Sequence, residues 1–186
     1  MIEEFKHPIR NSRMQLGDVY FWTDTIKDWK KLLKQDNYKT LIINTLKELV
    51  DAKLVKVYAF VIMPNHLHLV WEMVKMNKKE MPHASFNKKT SHLIIKDLKL
   101  NHLKVLPYFR VDDKERSYRV WQRDALAILM DDRSKVEQKI DYIHLNPLTE
   151  RWNLTDRPEK YYWSSANFYE TGIDDFGFLT HYMERF

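Results

Sequence analysis

The chain contains no cysteine, which excludes disulfide bonds, thiolate zinc sites and a cysteine nucleophile. A metal ion would have to bind through histidine, carboxylate or amide side chains. Only three glycines and six prolines occur in 186 residues, and neither a flexible linker nor an internal repeat is visible. The length suits one hydrophobic core. We therefore expect a single domain over residues 1–186.

Long apolar runs are also missing. No stretch approaches the roughly 18 apolar residues of a membrane span, and residues 1–15 lack a cationic segment followed by an apolar run. A cytoplasmic protein without a membrane partner is expected. The formal net charge of +5 favours polyanionic partners. The aromatic content of 13% strengthens the expectation of nucleic acid, because rings between cations can hold single strands.

Periodicity predicts a mixture of strands and helices. Alternation and β-branched residues indicate strands, and three- and four-residue spacing indicates helices. The predicted strands span 18–23, 54–63, 66–72 and part of 119–130, and the predicted helices span 39–51, the later half of 75–104, and 134–146. Strands 54–63 and 66–72 are joined so closely that they must be antiparallel. The expected fold class is α+β, an antiparallel sheet flanked by helices.

Two histidines alternate with apolar residues in the predicted strand 66–72. Successive side chains of a strand point to opposite faces, so His66 and His68 share one face while Leu67, Leu69 and Trp71 share the other. About 6 to 7 Å between the two Cβ atoms would suit two nitrogens that ligate one ion. Either histidine alone would more often be a structural or surface residue.

The helix at 134–146 carries two separate rows of side chains. Val136, Ile140 and Ile143 form the predicted buried stripe, and Gln138, Tyr142 and Asn146 follow at i, i+4 and i+8. Ser134 and Glu137 have the spacing of a capping box, and Pro147 ends the pattern. Tyr142 and Asn146 should point the same way. By themselves they could be a hydrogen-bonded phenol and a helix-ending amide.

Two motifs resemble a known family. The sequence PNHLHLVWE at 64–72 is similar to the histidine–hydrophobe–histidine signature of HUH single-strand nucleases, and DYIHLNP at 141–147 resembles the tyrosine helix of the single-tyrosine (Y1) transposases. The pattern of the same family is also matched by the preceding segment VYAFVIMPNH and the later segment PEKYYWSSA. The resemblance is to the REP-associated tyrosine transposases, relatives of the IS200/IS605 transposases, and it implies a ferredoxin-like or RRM-like sandwich.

The resemblance also implies roles for individual residues. Tyr142 would be the nucleophile, and His66 and His68 would be metal ligands. Asn146 would be the third ligand; the insertion-sequence branch carries Gln there, whereas the REP-associated branch often carries Asn. Two imidazoles and an amide add no charge, so Mg²⁺ or Mn²⁺ would also need phosphate and water oxygens. A tyrosine phenol, with an ordinary pKa of about 10, needs help to attack phosphorus.

The most basic stretch lies between these motifs. Residues 75–104 hold eight lysines against Glu80 and Asp97, and they could follow a DNA backbone or form a solvated helix face. The candidate DNA contacts are Lys75, Lys78, Lys79, Lys88, Lys89 and Lys96. For the aromatic residues later in the chain we expect packing rather than base stacking; these are Tyr161, Tyr162, Trp163 and Tyr169.

The expected function is metal-dependent cleavage and strand transfer of single-stranded, hairpin-forming or REP-like DNA through a 5′-phosphotyrosine, by a monomer or homodimer. Three alternatives stay open. A domesticated protein could bind DNA without cleaving it. A relaxase or replication initiator would use similar chemistry. A hydrolase unrelated to DNA would want a carboxylate base beside the histidines, and no obvious one is present.

Overall fold

A four-stranded antiparallel sheet is the centre of the fold. The computed structural model describes residues 14–114, 116–123 and 125–186. The strands are β1 (Val19–Thr25), β2 (Val55–Ile62), β3 (His66–Met73) and β4 (Leu126–Leu129), in the order β2-β3-β1-β4. The antiparallel pairing of β2 with β3 confirms the predicted neighbours. The single-domain prediction includes residues outside the described ranges and stays a prediction.

Helices cover both faces of the sheet, which confirms the α+β class. The helices are α1 (Asp36–Asp51), α2 (Pro82–Asn101), α3 (Arg133–Leu145) and the short α4 (Ala166–Thr171). One core lies between the sheet and the pair α1 and α2, and a second core lies between the sheet and α3.

The alternation along β3 divides its side chains between these two cores as predicted. Leu67, Leu69 and Trp71 are fully buried in the core beneath α1 and α2. Val70 belongs to the core beneath α3. His68 lies on the same side of the strand as Val70, because the two positions differ by two residues. The strand therefore presents its imidazoles to the side of the sheet that α3 covers.

The buried stripe of α3 is also as predicted, but the start of the helix is not. Val136, Ile140 and Ile143 pack into the second core, and truncating one of them to alanine would cost about 2 to 5 kcal/mol for Ile and less for Val. Ser134 is not the N-cap. The N-cap is Asp132, two residues earlier in the chain. Its carboxylate accepts a hydrogen bond from the backbone N–H of Lys135 at 3.0 Å, one of the amides that the start of the helix leaves unpaired.

Two other boundaries differ from the predictions. The strand expected within 119–130 comprises only Leu126–Leu129, and Val120 and Trp121 lie before it, buried in the core beneath α2. Trp121 retains a single bridge to Ile26. Helix α2 begins well before its apolar half, at Pro82, a residue whose fixed φ and missing N–H suit the first helical turn.

The C-terminal segment is held by the aromatic residues expected to pack. The hydroxyl of Tyr161 donates to the carbonyl of Ile62, and the hydroxyl of Tyr169 donates to the carbonyl of Tyr58, each at 2.8 Å. These bonds tie the segment to β2. None of the helices in the described ranges has the length and apolar character that crossing a membrane would need.

Candidate active site

His68 is buried and held from behind by β1. Its Nδ1 lies 2.7 Å from Oγ1 of Thr23, the residue opposite it in the β1–β3 register. The ring of Phe21 stacks on the imidazole with centroids 5.3 Å apart. Burial lowers the pKa of His68 well below its usual value, and the charge of Lys139 also lowers it. The imidazole is therefore neutral, and its Nε2 faces away from β1.

His66 is held in a matching way by the residue before it. Its Nδ1 lies 2.7 Å from Oδ1 of Asn65, whose own side chain is buried. Burial, and to a smaller extent the charge of Arg151, lowers the pKa of His66 to about 4. The rings of His66 and His68 have centroids 4.7 Å apart. Two neutral imidazoles thus lie together with both Nδ1 atoms occupied by oxygen partners.

Asn146 approaches the pair from the end of α3. The residue is buried, and its Nδ2 lies 3.3 Å from Nε2 of His68. A half-turn of the amide about the Cβ–Cγ bond would present Oδ1 to the same place. The C-terminal end of α3 therefore brings an amide to the imidazole pair, where the helical row predicted it.

Tyr142 lies one turn before this amide, beside His68. The centroids of the two rings are 5.3 Å apart, and the phenol side chain keeps 48% of its surface exposed. Within the described part of the chain, no protein group hydrogen-bonds its hydroxyl. Six other tyrosine hydroxyls are bonded, those of Tyr20, Tyr38, Tyr58, Tyr161, Tyr169 and Tyr182. The Tyr142 ring packs against Phe21 and His68 while its hydroxyl stays available, and we therefore call it the uncommitted phenol.

Cations lie on both sides of the group. Nζ of Lys139 is 4.9 Å from the Phe21 ring centroid and 5.6 Å from the Tyr142 ring centroid. Arg151 lies over the ring of Trp152 at 5.2 Å, and that ring is 5.8 Å from His66. The positive field around the imidazoles suits a phosphate group.

The donor set fits a divalent ion. Hydrogen bonds between Nδ1 and the oxygens of Thr23 and Asn65 fix each ring and leave Nε2 to act as the ligand, which is the usual arrangement behind metal-binding histidines. Among the described residues no group of three or more His, Cys, Asp or Glu side chains is placed to hold a metal ion. Asn146 stays the candidate for a third protein ligand, because its amide lies beside Nε2 of His68.

Sequence reasoning missed the supporting residues. The site is contacted by Thr23, Phe21 and Lys139, whose residue types are ordinary for a strand or a helix and so gave no signal in the sequence. Only the β1–β3 register and the packing of α3 bring them to the imidazoles. Asn65 directly precedes the first histidine, so its position was the one available clue. Gln138, the first member of the helical row, is exposed and does not join the site.

The predicted DNA-contacting lysines lie elsewhere. Helix α2 packs on the face of the sheet opposite the imidazoles, so the lysines it carries are remote from Tyr142. Lys88 pairs with Glu80 at 2.8 Å, and Lys89 pairs with Glu48. All six are exposed: Lys75, Lys78, Lys79, Lys88, Lys89 and Lys96. Their role in DNA binding stays a prediction.

A large cleft in the described ranges also lies on the α2 side. It has a volume of about 1750 Å³ and runs between α2 and residues 112–114 and 116–123, with both cations and carboxylates in its walls, among them Lys88, Lys96, Glu80 and Asp112. Size alone would make it the first choice for a ligand site. Neither the imidazole pair nor Tyr142 lines this cleft, so we assign the candidate chemistry to the surface at His68.

Comparisons with known proteins agree with this geometry at the level of fold. No family model matches the chain, and no curated protein matches it. A solved structure of a REP-associated tyrosine transposase bound to a REP hairpin is similar, with a TM-score of 0.59 over 91% of this chain and 90% of that chain. The two chains share a fold. Their sequence identity is 14%, so the likeness extends to architecture and no further.

Proposed function

We propose that this protein cleaves and rejoins single-stranded DNA, with Tyr142 as the nucleophile beside a divalent ion held by His66, His68 and Asn146. One observation carries the proposal. An uncommitted phenol lies 5.3 Å, ring to ring, from a buried neutral imidazole that has a second imidazole and an amide beside it. All four side chains come from one chain, so this arrangement needs no second copy.

The reaction is a transesterification. The phenol oxygen of Tyr142 bonds to phosphorus, the bond from phosphorus to the 3′ oxygen breaks, and the departing 3′ oxygen gains the proton that the phenol loses. The products are a 5′-phosphotyrosine and a free 3′-hydroxyl. A 3′-hydroxyl from the same or another strand can reverse the step, which makes strand transfer possible without another energy source.

The chain's own residues prepare this step. The exposure of Tyr142 leaves room for a strand, and Lys139 favours an anion beside the phenol. Thr23 and Asn65 hold the imidazoles so that Nε2 is available. A Mg²⁺ or Mn²⁺ ion bound there would stabilise charge on the non-bridging phosphate oxygens.

The substrate we propose is DNA that forms a hairpin. The structural neighbour is a transposase bound to a REP hairpin, and the two chains match over nearly their full lengths. The cleft along α2, with Lys88 and Lys96 in its walls, is a place where a paired stem could lie. Binding by such lysines would weaken steeply as salt concentration rises.

A covalent adduct tests the proposal. The protein is incubated with a labelled single-stranded hairpin and Mn²⁺, and adducts are separated on a denaturing gel. The wild-type protein should give a protein–DNA band, and Tyr142→Phe should give none while it still binds the hairpin. An undiminished adduct in Tyr142→Phe would exclude Tyr142 as the nucleophile.

The same assay separates the alternatives. A protein that binds the hairpin and forms no adduct with any divalent metal would be a DNA-binding protein without cleavage activity. Cleavage of an unstructured strand at the same rate as the hairpin would favour the relaxase or replication-initiator reading.

A further inference from the structure

Two consecutive residues that are not glycine, Asp28 and Trp29, adopt left-handed backbone conformations with φ of 56° and 52°. Such conformations are uncommon for residues with a Cβ, and a bulky side chain there is an outlier. The Trp29 side chain is 63% exposed, although most tryptophan surface is normally buried. A strained segment that turns a large ring into solvent indicates binding rather than packing.

Asn65 joins this segment to the candidate active site. Its Nδ2 donates to the backbone carbonyl of Trp29 at 3.2 Å, and its Oδ1 is bonded to Nδ1 of His66 at 2.7 Å. The backbone of Trp29 is thus separated from a proposed metal ligand by one side chain.

Two cations, Lys30 and Lys31, follow Trp29 in the chain, and each lies over the ring of another residue. Tyr108 is 60% exposed, and Nζ of Lys30 lies 5.3 Å from its ring centroid. Nζ of Lys31 lies 5.8 Å from the ring centroid of Trp152. We call these five residues the aromatic-basic patch. Trp152 connects the patch to the site, because its ring is 5.8 Å from that of His66.

We propose that the aromatic-basic patch binds the unpaired nucleotides next to the scissile phosphate. Bases would stack on Trp29 and Tyr108, and Lys30 and Lys31 would contact phosphates. Aromatic faces interleaved with cations are the arrangement that holds single strands without sequence preference. The cations favour a polyanion over an apolar protein partner. This proposal rests on the proposed function, since it takes the position of the phosphate from it.

Binding measurements without cleavage test the patch. All variants are made in Tyr142→Phe, and affinity for labelled DNA is measured by fluorescence anisotropy in the presence of a chelator. The probes are a blunt hairpin and the same hairpin with an unpaired extension at its 5′ or 3′ end. Trp29→Ala should weaken binding of an extended hairpin by about fivefold or more and leave the blunt hairpin unchanged.

Two further variants control for the fold and for ring loss in general. Trp29→Phe keeps a stacking face and should retain most of the affinity. Tyr162→Ala removes a ring of similar exposure, 58%, that packs against Trp163 and Phe176 outside the patch, and it should bind like the parent.

The outcomes separate this inference from the catalytic proposal. Equal affinity of Trp29→Ala and the parent for both extended hairpins would overturn the patch, whether or not wild-type protein forms the adduct. An equal loss in Tyr162→Ala would also overturn it. A selective loss in Trp29→Ala with no adduct from wild-type protein would support the patch and reject the chemistry.

Discussion

The side-chain amide of Asn146 lies 3.3 Å from Nε2 of His68, a residue 78 positions earlier in the chain. Both side chains are buried, and they come from two different elements, the end of α3 and the strand β3. A contact of this kind explains why a helix-ending residue can complete a site begun on a strand. It also makes the amide the most direct way to test the proposed ligand set.

Replacing Asn146 should weaken metal binding. We expect Asn146→Ala to raise the Mn²⁺ concentration that gives half-maximal adduct formation by about tenfold or more, because one oxygen ligand is lost. Asn146→Asp restores an oxygen and should bind the ion at least as well as wild type. Gln138→Ala, exposed in the same helical row, should titrate like wild type. An unchanged titration for Asn146→Ala would remove this residue from the ligand set.

The hydroxyl of Thr23 should position His68. Thr23→Val keeps the shape of the side chain and removes the partner that lies 2.7 Å from Nδ1. Loss of such a partner typically costs about 10- to 100-fold in metal affinity or activity. Thr23→Ser should recover most of that loss. The measurement is a metal titration of adduct formation, with the melting temperature of each variant as a check on folding. A Thr23→Val variant with wild-type activity would contradict the claim that the Thr23 hydroxyl orients the His68 ring.

Lys139 should raise the rate of attack rather than metal affinity. Its Nζ lies 5.6 Å from the Tyr142 ring centroid, so Lys139→Gln should slow adduct formation by about tenfold at saturating Mn²⁺, and Lys139→Arg should be closer to wild type. The control is Lys135→Gln on the same helix, which loses a cation that pairs with Asp131 and Asp132. Equal rates of adduct formation in Lys135→Gln and Lys139→Gln would contradict a specific effect of the Lys139 charge beside Tyr142.

Asp24 should make the folded state less stable as pH rises. Burial raises the pKa of this carboxyl to about 8, against hydrogen bonds from Asn87 and the Thr25 amide that lower it. Between about pH 4 and about pH 8 the folded carboxyl keeps its proton and the unfolded one loses it. The free energy of unfolding therefore carries a downward slope of up to about 1.4 kcal/mol per pH unit over that window.

The isosteric change Asp24→Asn removes this titration. Denaturant unfolding from pH 4 to pH 9 should show a smaller decline for Asp24→Asn than for wild type, with the variant the more stable of the two at the alkaline end. Asp51→Asn, which alters an exposed carboxyl, serves as the control and should follow wild type. Parallel curves for Asp24→Asn and wild type would contradict a protonated buried carboxyl.

Local periodicity was enough to predict the parts of the site that lie within one element. Alternation in β3 predicted that His66 and His68 share a face, and the helical row predicted that Tyr142 and Asn146 point the same way. Both predictions are confirmed by the positions of the side chains. Their roles in catalysis and metal binding stay predictions.

Contacts between elements could not be predicted in the same way. Thr23 meets His68 only because β1 pairs with β3 in one register, and alternation within β1 does not reveal its neighbour. The capping box was misplaced because a carboxylate two residues before Ser134 reaches the helix amides first. The lysine-rich segment attracted attention by its composition, and composition does not say that α2 lies on the other face of the sheet.

The most direct test identifies the residue that carries the DNA. The covalent adduct is digested with a nuclease and with trypsin, and the modified peptide is sequenced by mass spectrometry. Cleavage after Lys139 and Arg151 gives a peptide of residues 140–151 in which Tyr142 is the one tyrosine. We predict a nucleotide phosphate on that peptide. A nucleotide on any other tyrosine, or an adduct at a residue other than tyrosine, would contradict the central claim.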